Sequence, residues 1–190
     1  MIDFFDESYK SFYHRKYCLF PFSGGRINVK IKPIIRTYKL GIKTRGEICM
    51  SYQLGLLDQS PIPEGASAFD ALQQTVRLAQ KAEEWGYSRF WVSEHHNTEQ
   101  LAGSSPEVLI SYLLARTNSI RIGSGGVMLQ HYSPFKVAEN FHVLSSLAPG
   151  RVDLGVGKAP GGLPLSTKAL QFGTMNDGKD FKERFVFLKN

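Results

Sequence analysis

The chain has 190 residues, of which 42% are hydrophobic and 21% are charged, and these proportions are ordinary for a single globular domain. Its formal net charge of +6 comes entirely from residues 1–49, which hold ten Lys and Arg against four Asp and Glu, while the remainder holds thirteen of each. Residues 50–190 therefore have no net charge, which argues against a nucleic-acid-binding module. No apolar run reaches the length of a membrane span.

Residues 1–49 differ in composition from the rest of the chain and are predicted to be a basic N-terminal extension outside the fold. They contain both cysteines, Cys18 and Cys49, so the rest of the chain has neither a disulfide framework nor a thiolate metal site, as suits the cytoplasm. A small β appendage, a targeting extension and translated upstream sequence are all compatible with this segment. We expect a protein that begins at Met50 to fold at least as well as the full chain.

From Met50 onward, segments typical of strands and helices alternate. Gln53–Asp58 is predicted as a strand, and Ser67 followed by Asp70 predicts a capping box at the start of a helix that ends at Gly86. Arg89–His96 is predicted as the second strand, because aromatic and β-branched residues form a short apolar run.

The same alternation continues to the end of the chain. Proline follows serine at both later helix starts, and the third helix has an apolar stripe that includes Phe135 and Leu147. The second helix is apolar on nearly every side, which predicts burial on more than one side. The remaining predicted segments are a helix from Ser105, a strand at 120–124, a helix at 133–147, a strand at 151–156 and a helix at 178–188.

Four strand and helix units joined by short connections predict an α/β fold with a parallel sheet. Two architectures satisfy this pattern: an open doubly wound sheet, or the first half of a TIM-type (β/α)8 barrel. Both place functional residues at the carboxyl ends of the strands.

Ionisable residues stand at the carboxyl end of the second predicted strand. Neighbouring strand residues point to opposite faces, so His95 and His96 are not expected to share one small ligand. Trp91 and Ser93 fall on the side of His95, and we assign that side to the interior and the chemical role to His95. The alternative is that both histidines only cap the strand.

Glycines follow the third and fourth predicted strands. A dinucleotide fold would place a G-x-G-x-x-G turn after the first strand, where this chain has 58–61, Asp-Gln-Ser-Pro. Glycines leave the backbone after these two strands without side chains, and this pattern predicts that the backbone contacts a flat ligand. The alternative is that these glycines only relieve crowding.

Five segments in order resemble the bacterial luciferase-like flavin monooxygenase family, over about residues 51–190. The resemblance implies a TIM-type barrel that binds reduced FMN and uses dioxygen to oxidise a small organic substrate, with a separate flavin reductase and no nucleic-acid or membrane partner. A deazaflavin is the less favoured cofactor. The matching segments are 56–62, 90–97, 104–109, 122–129 and 149–161.

The resemblance also implies roles for single residues. His95 corresponds to the family's catalytic histidine, a base or hydrogen-bond partner toward the reacting flavin, and Glu94 would orient or tune it unless it is only a structural buried acid. Gly125-Gly126 falls where the family has a non-prolyl cis peptide under the flavin ring. Lys158 stands where the family has a phosphate-binding arginine, and it lacks the guanidinium fork. The predicted cofactor-binding residues are Ser124, Gly125, Gly126, Gly157 and Lys158.

The family barrel has eight strands, and four are predicted in residues 50–190. Half a barrel has unpaired strand edges, so we expect a fragment that forms a homodimer or heterodimer. Two alternative functions stay open: a flavin-binding or heterodimer-forming module without turnover, and a metal-dependent hydrolase that uses His95 and His96.

Overall fold

The computed structural model describes residues 53–174 and 176–189, together with the backbone of three short strands before them. Those strands are β1 (Ile35–Arg36), β2 (Ile42–Thr44) and β3 (Glu47–Cys49). The later strands are β4 (Gln53–Asp58), β5 (Arg89–Val92), β6 (Arg121–Ser124), β7 (Val127–Met128), β8 (Val152–Asp153) and β9 (Val156–Gly157). The helices are α1 (Ala68–Glu84), α2 (Pro106–Arg116), α3 (Pro134–Leu147), α4 (Pro164–Gln171) and α5 (Phe181–Lys189), with a 3-10 turn at Leu129–His131.

The main sheet has the strand order β1-β4-β5-β6-β8. Strands β4, β5, β6 and β8 are parallel, and β1 pairs antiparallel with β4 through Ile35 opposite Leu54. The predicted α/β fold with four parallel strands is therefore confirmed. Strand β1 lies within residues 1–49 and pairs with the sheet, while the domain boundary at Met50 stays a prediction.

The two faces of the parallel strands differ sharply. On the face that we call outer, Leu56, Phe90, Ile122 and Val152 stand in register, are almost fully buried, and pack against α1, α2 and α3. The opposite face, called inner, carries the alternate residues of each strand, including Trp91. The helices thus cover one face, as they do in the outer ring of a barrel.

An ionic group occupies the amino-terminal end of the inner face. Asp153 on β8 pairs with Arg89 on β5 at 3.1 Å and with Arg121 on β6, so one nearly buried carboxylate joins three adjacent strands. Trp91 lies one step further along, against Gly123, where an added Cβ would come 2.7 Å from the indole ring.

Helix α1 begins as predicted. The Ser67 N–H donates to Asp70 Oδ2 at 3.0 Å, and the Asp70 N–H donates to Ser67 Oγ at 3.2 Å, which completes the capping box. These bonds satisfy two donors that a helix start otherwise leaves unpaired.

Several predicted elements need correction. Strand β5 ends at Val92 rather than His96, and the fourth predicted strand is divided into β8 and β9. Strand β9 leaves the main sheet and pairs with β7 in a separate two-stranded sheet. The chain also forms α4, which was not predicted, and α5 begins three residues later than expected.

The predicted helix burial was also partly wrong. In α2, Val108 and Tyr112 are exposed, and in α3 the exposed side chains include Phe135 and Leu147 from the predicted stripe. Each helix packs one face on the sheet, and apolar residues beyond that face remain outside the core.

In the part of the chain that the structure describes, none of the helices combines the length and apolar character needed to cross a membrane.

Candidate functional site at the carboxyl ends of the strands

His95 lies three residues beyond the end of β5. Its backbone N–H donates to Gly103 O at 2.8 Å, and its Nδ1 lies 3.1 Å from Ser93 Oγ. Burial lowers the pKa of His95, the neighbouring His96 lowers it further, and the charge of Glu94 acts in the opposite direction. The imidazole is therefore neutral at pH 7 and able to accept a proton.

Glu94 is fully buried and accepts three hydrogen bonds. The donors are the Tyr132 hydroxyl at 2.7 Å and His96 Nε2 at 2.7 Å, both to Oε1, and the Met128 N–H at 2.8 Å to Oε2. We expected Glu94 to orient or tune His95 unless it is only a structural buried acid. Its side-chain hydrogen bonds do not involve His95, and its charge raises the pKa of His95, so its role toward His95 stays a prediction.

The two histidines therefore point to different partners. His95 contacts Ser93, whereas His96 contacts Glu94, so the two imidazoles have different side-chain partners. Both residues lie beyond the end of β5, so strand alternation does not fix the directions of their side chains.

Tyr132 and His131 belong to this region and were not singled out in the sequence. Burial raises the pKa of Tyr132, and its hydrogen bond to Glu94 raises it further, so the phenol stays protonated. His131 Nε2 donates to Pro160 O at 2.8 Å, and its ring stands edge-on to His96. The only sequence signal was the His131-Tyr132 pair itself, which begins five residues after Gly126.

The loop after β9 rests on these histidines. The His96 N–H donates to Gly161 O at 2.9 Å, and His131 holds the preceding carbonyl, that of Pro160. Gly161 has φ of +68°, and a Cβ there would come 2.9 Å from Met128 Cγ, so glycine suits both the turn and the close packing.

Gly125 and Gly126 are joined by a cis peptide bond, at the position where the family resemblance led us to expect one. A Cβ on Gly125 would meet Leu57 Cδ1 at 3.0 Å and Trp91 Cβ at 3.4 Å, so this residue adjoins the inner face. The bare backbone of Gly125 therefore lies beside Trp91 on the inner face. The placement of the His95 imidazole on the same side stays a prediction.

The Ser124 hydroxyl is used within the fold. It donates to Gly155 O at 2.8 Å and accepts from the Gly155 N–H at 3.1 Å, which ties β6 to the residues after β8. Ser124 is fully buried. Its predicted contact with a cofactor stays a prediction, and its observed role is to join two backbones.

Gly157 and Lys158 lie at the end of β9. Gly157 pairs with Met128, and a Cβ there would come 3.2 Å from the sulfur atom of Met128. Lys158 is exposed, makes no ion pair with any described residue, and has its aliphatic stem beside Gly178. Its ammonium is therefore available to an anion.

These residues have the chemical character that a flavin mononucleotide requires. An aromatic ring system needs flat backbone without side chains, which Gly125 supplies beside Trp91, while Gly126 packs against the backbone of Gly155. Its reacting edge needs a group that exchanges protons, as His95 does, and its phosphate needs a cation such as Lys158. The residues therefore fit the cofactor that the resemblance implies.

Comparisons with known proteins agree with one another. A family profile described as "Luciferase-like monooxygenase" matches residues 49–184. The N-acetyl-S-alkylcysteine monooxygenase of Bacillus subtilis (strain 168) is 64% identical over 70% of this chain, and a luciferase-like monooxygenase of Escherichia coli (strain K12) is 49% identical over 61%. These alignments cover 40% and 35% of the two relatives.

Solved structures show the same fold. The crystal structure of apo-MsnO8 matches 72% of this chain and 41% of its own, with a TM-score of 0.69 and 41% identity. The oxygenating constituent of 3,6-diketocamphane monooxygenase from the CAM plasmid of Pseudomonas putida, solved in complex with FMN, covers 72% of this chain and 38% of its own, with a TM-score of 0.63 and 24% identity. The chain spans about two fifths of the length of the curated relatives it matches.

Proposed function

The chain belongs to the luciferase-like monooxygenase family, and from that premise we propose that it is part of a flavin-dependent monooxygenase that uses reduced FMN and dioxygen to oxidise a small organic substrate. The observation that supports the proposal is that the bare backbone of Gly125 lies beside Trp91 just after the end of β6, and that His95 follows the carboxyl end of the adjacent strand β5. A neutral imidazole and a bare backbone surface are the two features that flavin chemistry needs from these strands.

Reduced FMN, when bound, supplies the electrons that activate dioxygen. The protein residues would provide binding and proton control. The backbone at Gly125 and Gly126 would support the flat ring, His95 would be a hydrogen-bond partner to the reacting flavin through Nε2, and Lys158 would bind the phosphate. A lysine contact is less directional than the two-pronged contact of an arginine, so we expect modest affinity.

Turnover is tested by measuring dioxygen consumption with chemically reduced FMN and an S-alkylated cysteine derivative, because the relative from Bacillus subtilis is named for such a substrate. His95→Ala should abolish consumption above the background of free reduced flavin. His142→Ala is the matched control, since His142 lies exposed on α3. Equal rates for the His95→Ala variant and the unmodified protein would refute a catalytic role for His95.

Cofactor choice is tested by titrating the protein with FMN and with a deazaflavin while following flavin fluorescence. We expect FMN to bind more tightly, and Lys158→Ala to weaken FMN binding more than riboflavin binding, because riboflavin has no phosphate. If Lys158→Ala weakened the binding of FMN and riboflavin equally, Lys158 would not be the phosphate ligand.

A second candidate function is a flavin-binding module without turnover, alone or in a heterodimer. It is favoured by the coverage of about two fifths of the relatives and by the four parallel strands of the sheet. Flavin binding without dioxygen consumption would support this candidate. Consumption that depends on His95 would support the monooxygenase.

A further inference from the structure

Ser93 makes the side-chain hydrogen bond nearest to the proposed reacting group. Its Oγ lies 3.1 Å from His95 Nδ1, and in the described part of the chain this is its only side-chain hydrogen bond. Ser93 is 5% exposed, so its hydroxyl has little access to water. Two arrangements satisfy the distance: the hydroxyl donates to Nδ1, or it accepts from a protonated Nδ1.

The two arrangements differ in what they leave unpaired. A serine hydroxyl has one proton, and a buried donor without an acceptor costs about 1 to 3 kcal/mol. If Nδ1 carried the proton, the Ser93 proton would have no acceptor among the described residues. If Nδ1 is the acceptor, the serine proton and the nitrogen lone pair satisfy each other.

We infer that Ser93 is a positioning residue that donates its hydroxyl proton to His95 Nδ1 and thereby fixes neutral His95 as the tautomer protonated on Nε2. The Gly103 carbonyl holds the backbone of His95 from the other side, so both the location and the tautomer of the imidazole are defined. Nε2 is then a hydrogen-bond donor, and the proposed function would use it toward the flavin. This inference rests on the proposed function for its consequence, but not for its geometry.

The tautomer also bears on proton affinity. A donor to Nδ1 stabilises the neutral imidazole, so it favours a lower pKa of His95 in the same direction as burial does. His96 and Glu94 are the titratable groups whose charges act on His95 in the described part of the chain. Removing the Ser93 hydroxyl should therefore raise the pKa of His95 and leave those charges in place.

The test is nitrogen-15 NMR of the full chain with labelled histidine rings, recorded across a pH titration without flavin. The chain has five histidines, and His95→Asn identifies the resonances of His95. In the unmodified protein we expect an unprotonated Nδ1 and a protonated Nε2 above the pKa. Ser93→Ala should change the tautomer ratio about fivefold, the size of one neutral hydrogen bond, and raise the pKa of His95.

Two further variants separate positioning from general stability. Ser93→Thr keeps the hydroxyl and should restore both the tautomer and the pKa, while Ser146→Ala removes an exposed hydroxyl in α3 and should change neither. A protonated Nδ1 in the unmodified protein, or an unchanged tautomer in Ser93→Ala, would overturn the inference. Because no flavin is present, failure of flavin binding would count against the proposed function alone.

Discussion

The buried carboxylate of Glu94 and the hydroxyl of Tyr132 meet at 2.7 Å, across 38 residues of sequence. Glu94 comes shortly after β5, and Tyr132 lies between the 3-10 turn and α3. This bond, together with the bond from the Met128 N–H to the other carboxylate oxygen, connects the end of β5 to the segment after β6 and β7. The position of His96 depends on the same carboxylate.

Tyr132→Phe removes the hydroxyl and keeps the ring, so it tests this bond directly. Loss of one donor to a buried carboxylate should lower the free energy of unfolding by about 1.5 to 3 kcal/mol. Urea denaturation measures the change. Tyr112→Phe is the control, because Tyr112 is exposed on α2 and its ring contact with Arg116 does not need the hydroxyl. Equal stability of the two variants would contradict the structural role of Tyr132.

Glu83 at the end of α1 predicts a loss of stability in acid. Burial alone would raise its pKa, but hydrogen bonds from the N–H groups of Ile120, Ser119 and Asn118 outweigh it and lower the pKa of Glu83 to about 2. In the unfolded chain the group titrates near 4.5. Its contribution is therefore complete above pH 4.5 and is lost as the pH falls toward 2.

Glu83→Gln should remove that acid-dependent loss and lower stability at pH 7. Because Glu83 is partly solvated, we expect the free energy of unfolding at pH 7 to fall by about 1 kcal/mol. This is at the low end for the loss of a hydrogen-bonded charge. Denaturation curves at several pH values measure both effects. Glu84→Gln is the control, since Glu84 pairs only with Lys81 at the surface. A pH dependence that is unchanged in Glu83→Gln would disprove the assignment.

Asp58 predicts the opposite dependence on pH. Burial raises its pKa from 3.8, and hydrogen bonds from Thr75, Ser60 and Gln59 only partly offset the effect. Between 3.8 and the folded pKa, the folded protein retains a proton that the unfolded chain has released. Stability from this group is therefore greatest below pH 3.8 and falls as the pH rises through the folded pKa.

Asp58→Asn does not titrate and can still accept the hydrogen bond from the Thr75 hydroxyl. Relative to the unmodified protein, this variant should gain stability progressively as the pH rises above 3.8, and urea denaturation across that range measures the gain. Asp177→Asn provides a contrast, because a hydrogen bond from Lys179 lowers the pKa of Asp177 and the trend should reverse. Parallel curves for Asp58→Asn and the unmodified protein would show that Asp58 is ionised throughout.

Gly123→Ala should destabilise the sheet by about 1 to 3 kcal/mol, because a Cβ would lie 2.7 Å from both Asp153 O and the Trp91 ring. Gly55→Ala is a milder comparison, since the nearest atom is Trp91 Nε1 at 3.1 Å. Thermal unfolding with tryptophan fluorescence reports both variants. A smaller effect at Gly123 than at Gly55 would mean that the indole ring moves freely.

Self-association is expected from the edge of the sheet. Within the described residues, β6 is the one strand that pairs with β8 in the main sheet, so the other side of β8 can accept another strand. We expect the full chain to elute from a sizing column as a dimer or larger species, with a dependence on protein concentration. A monodisperse monomer at all concentrations would refute this expectation.

The sequence predicted local features better than distant ones. The capping box at Ser67 and Asp70 was found because both partners lie within one helical turn, and the outer face of β5 was evident from simple alternation. The division of the fourth strand into β8 and β9 was missed, because the change of pairing partner depends on β7, a separate segment of the chain.

The same contrast between local and distant features holds for the candidate site. The cis peptide at Gly125-Gly126 was expected from the family resemblance, and the roles of His95 and Gly125 stay predictions. The Tyr132 partner of Glu94 was not expected, since 38 residues separate the two in sequence. The neighbour of Glu94 in sequence, His95, makes no side-chain hydrogen bond with it in the described part of the chain. A buried carboxylate takes whichever donors the tertiary structure provides.

The two ends of the inner face differ, because an ionic group lies at one of them. That group consists of Arg89, Arg121 and Asp153. Two guanidinium groups and one carboxylate close the amino-terminal end of the inner face, and an indole ring lies next to them. A flat, largely apolar molecule would lose solvation without compensation at the ionic end. Such a molecule should therefore approach from the carboxyl ends of the strands and stop at the indole, which limits how deeply it can enter.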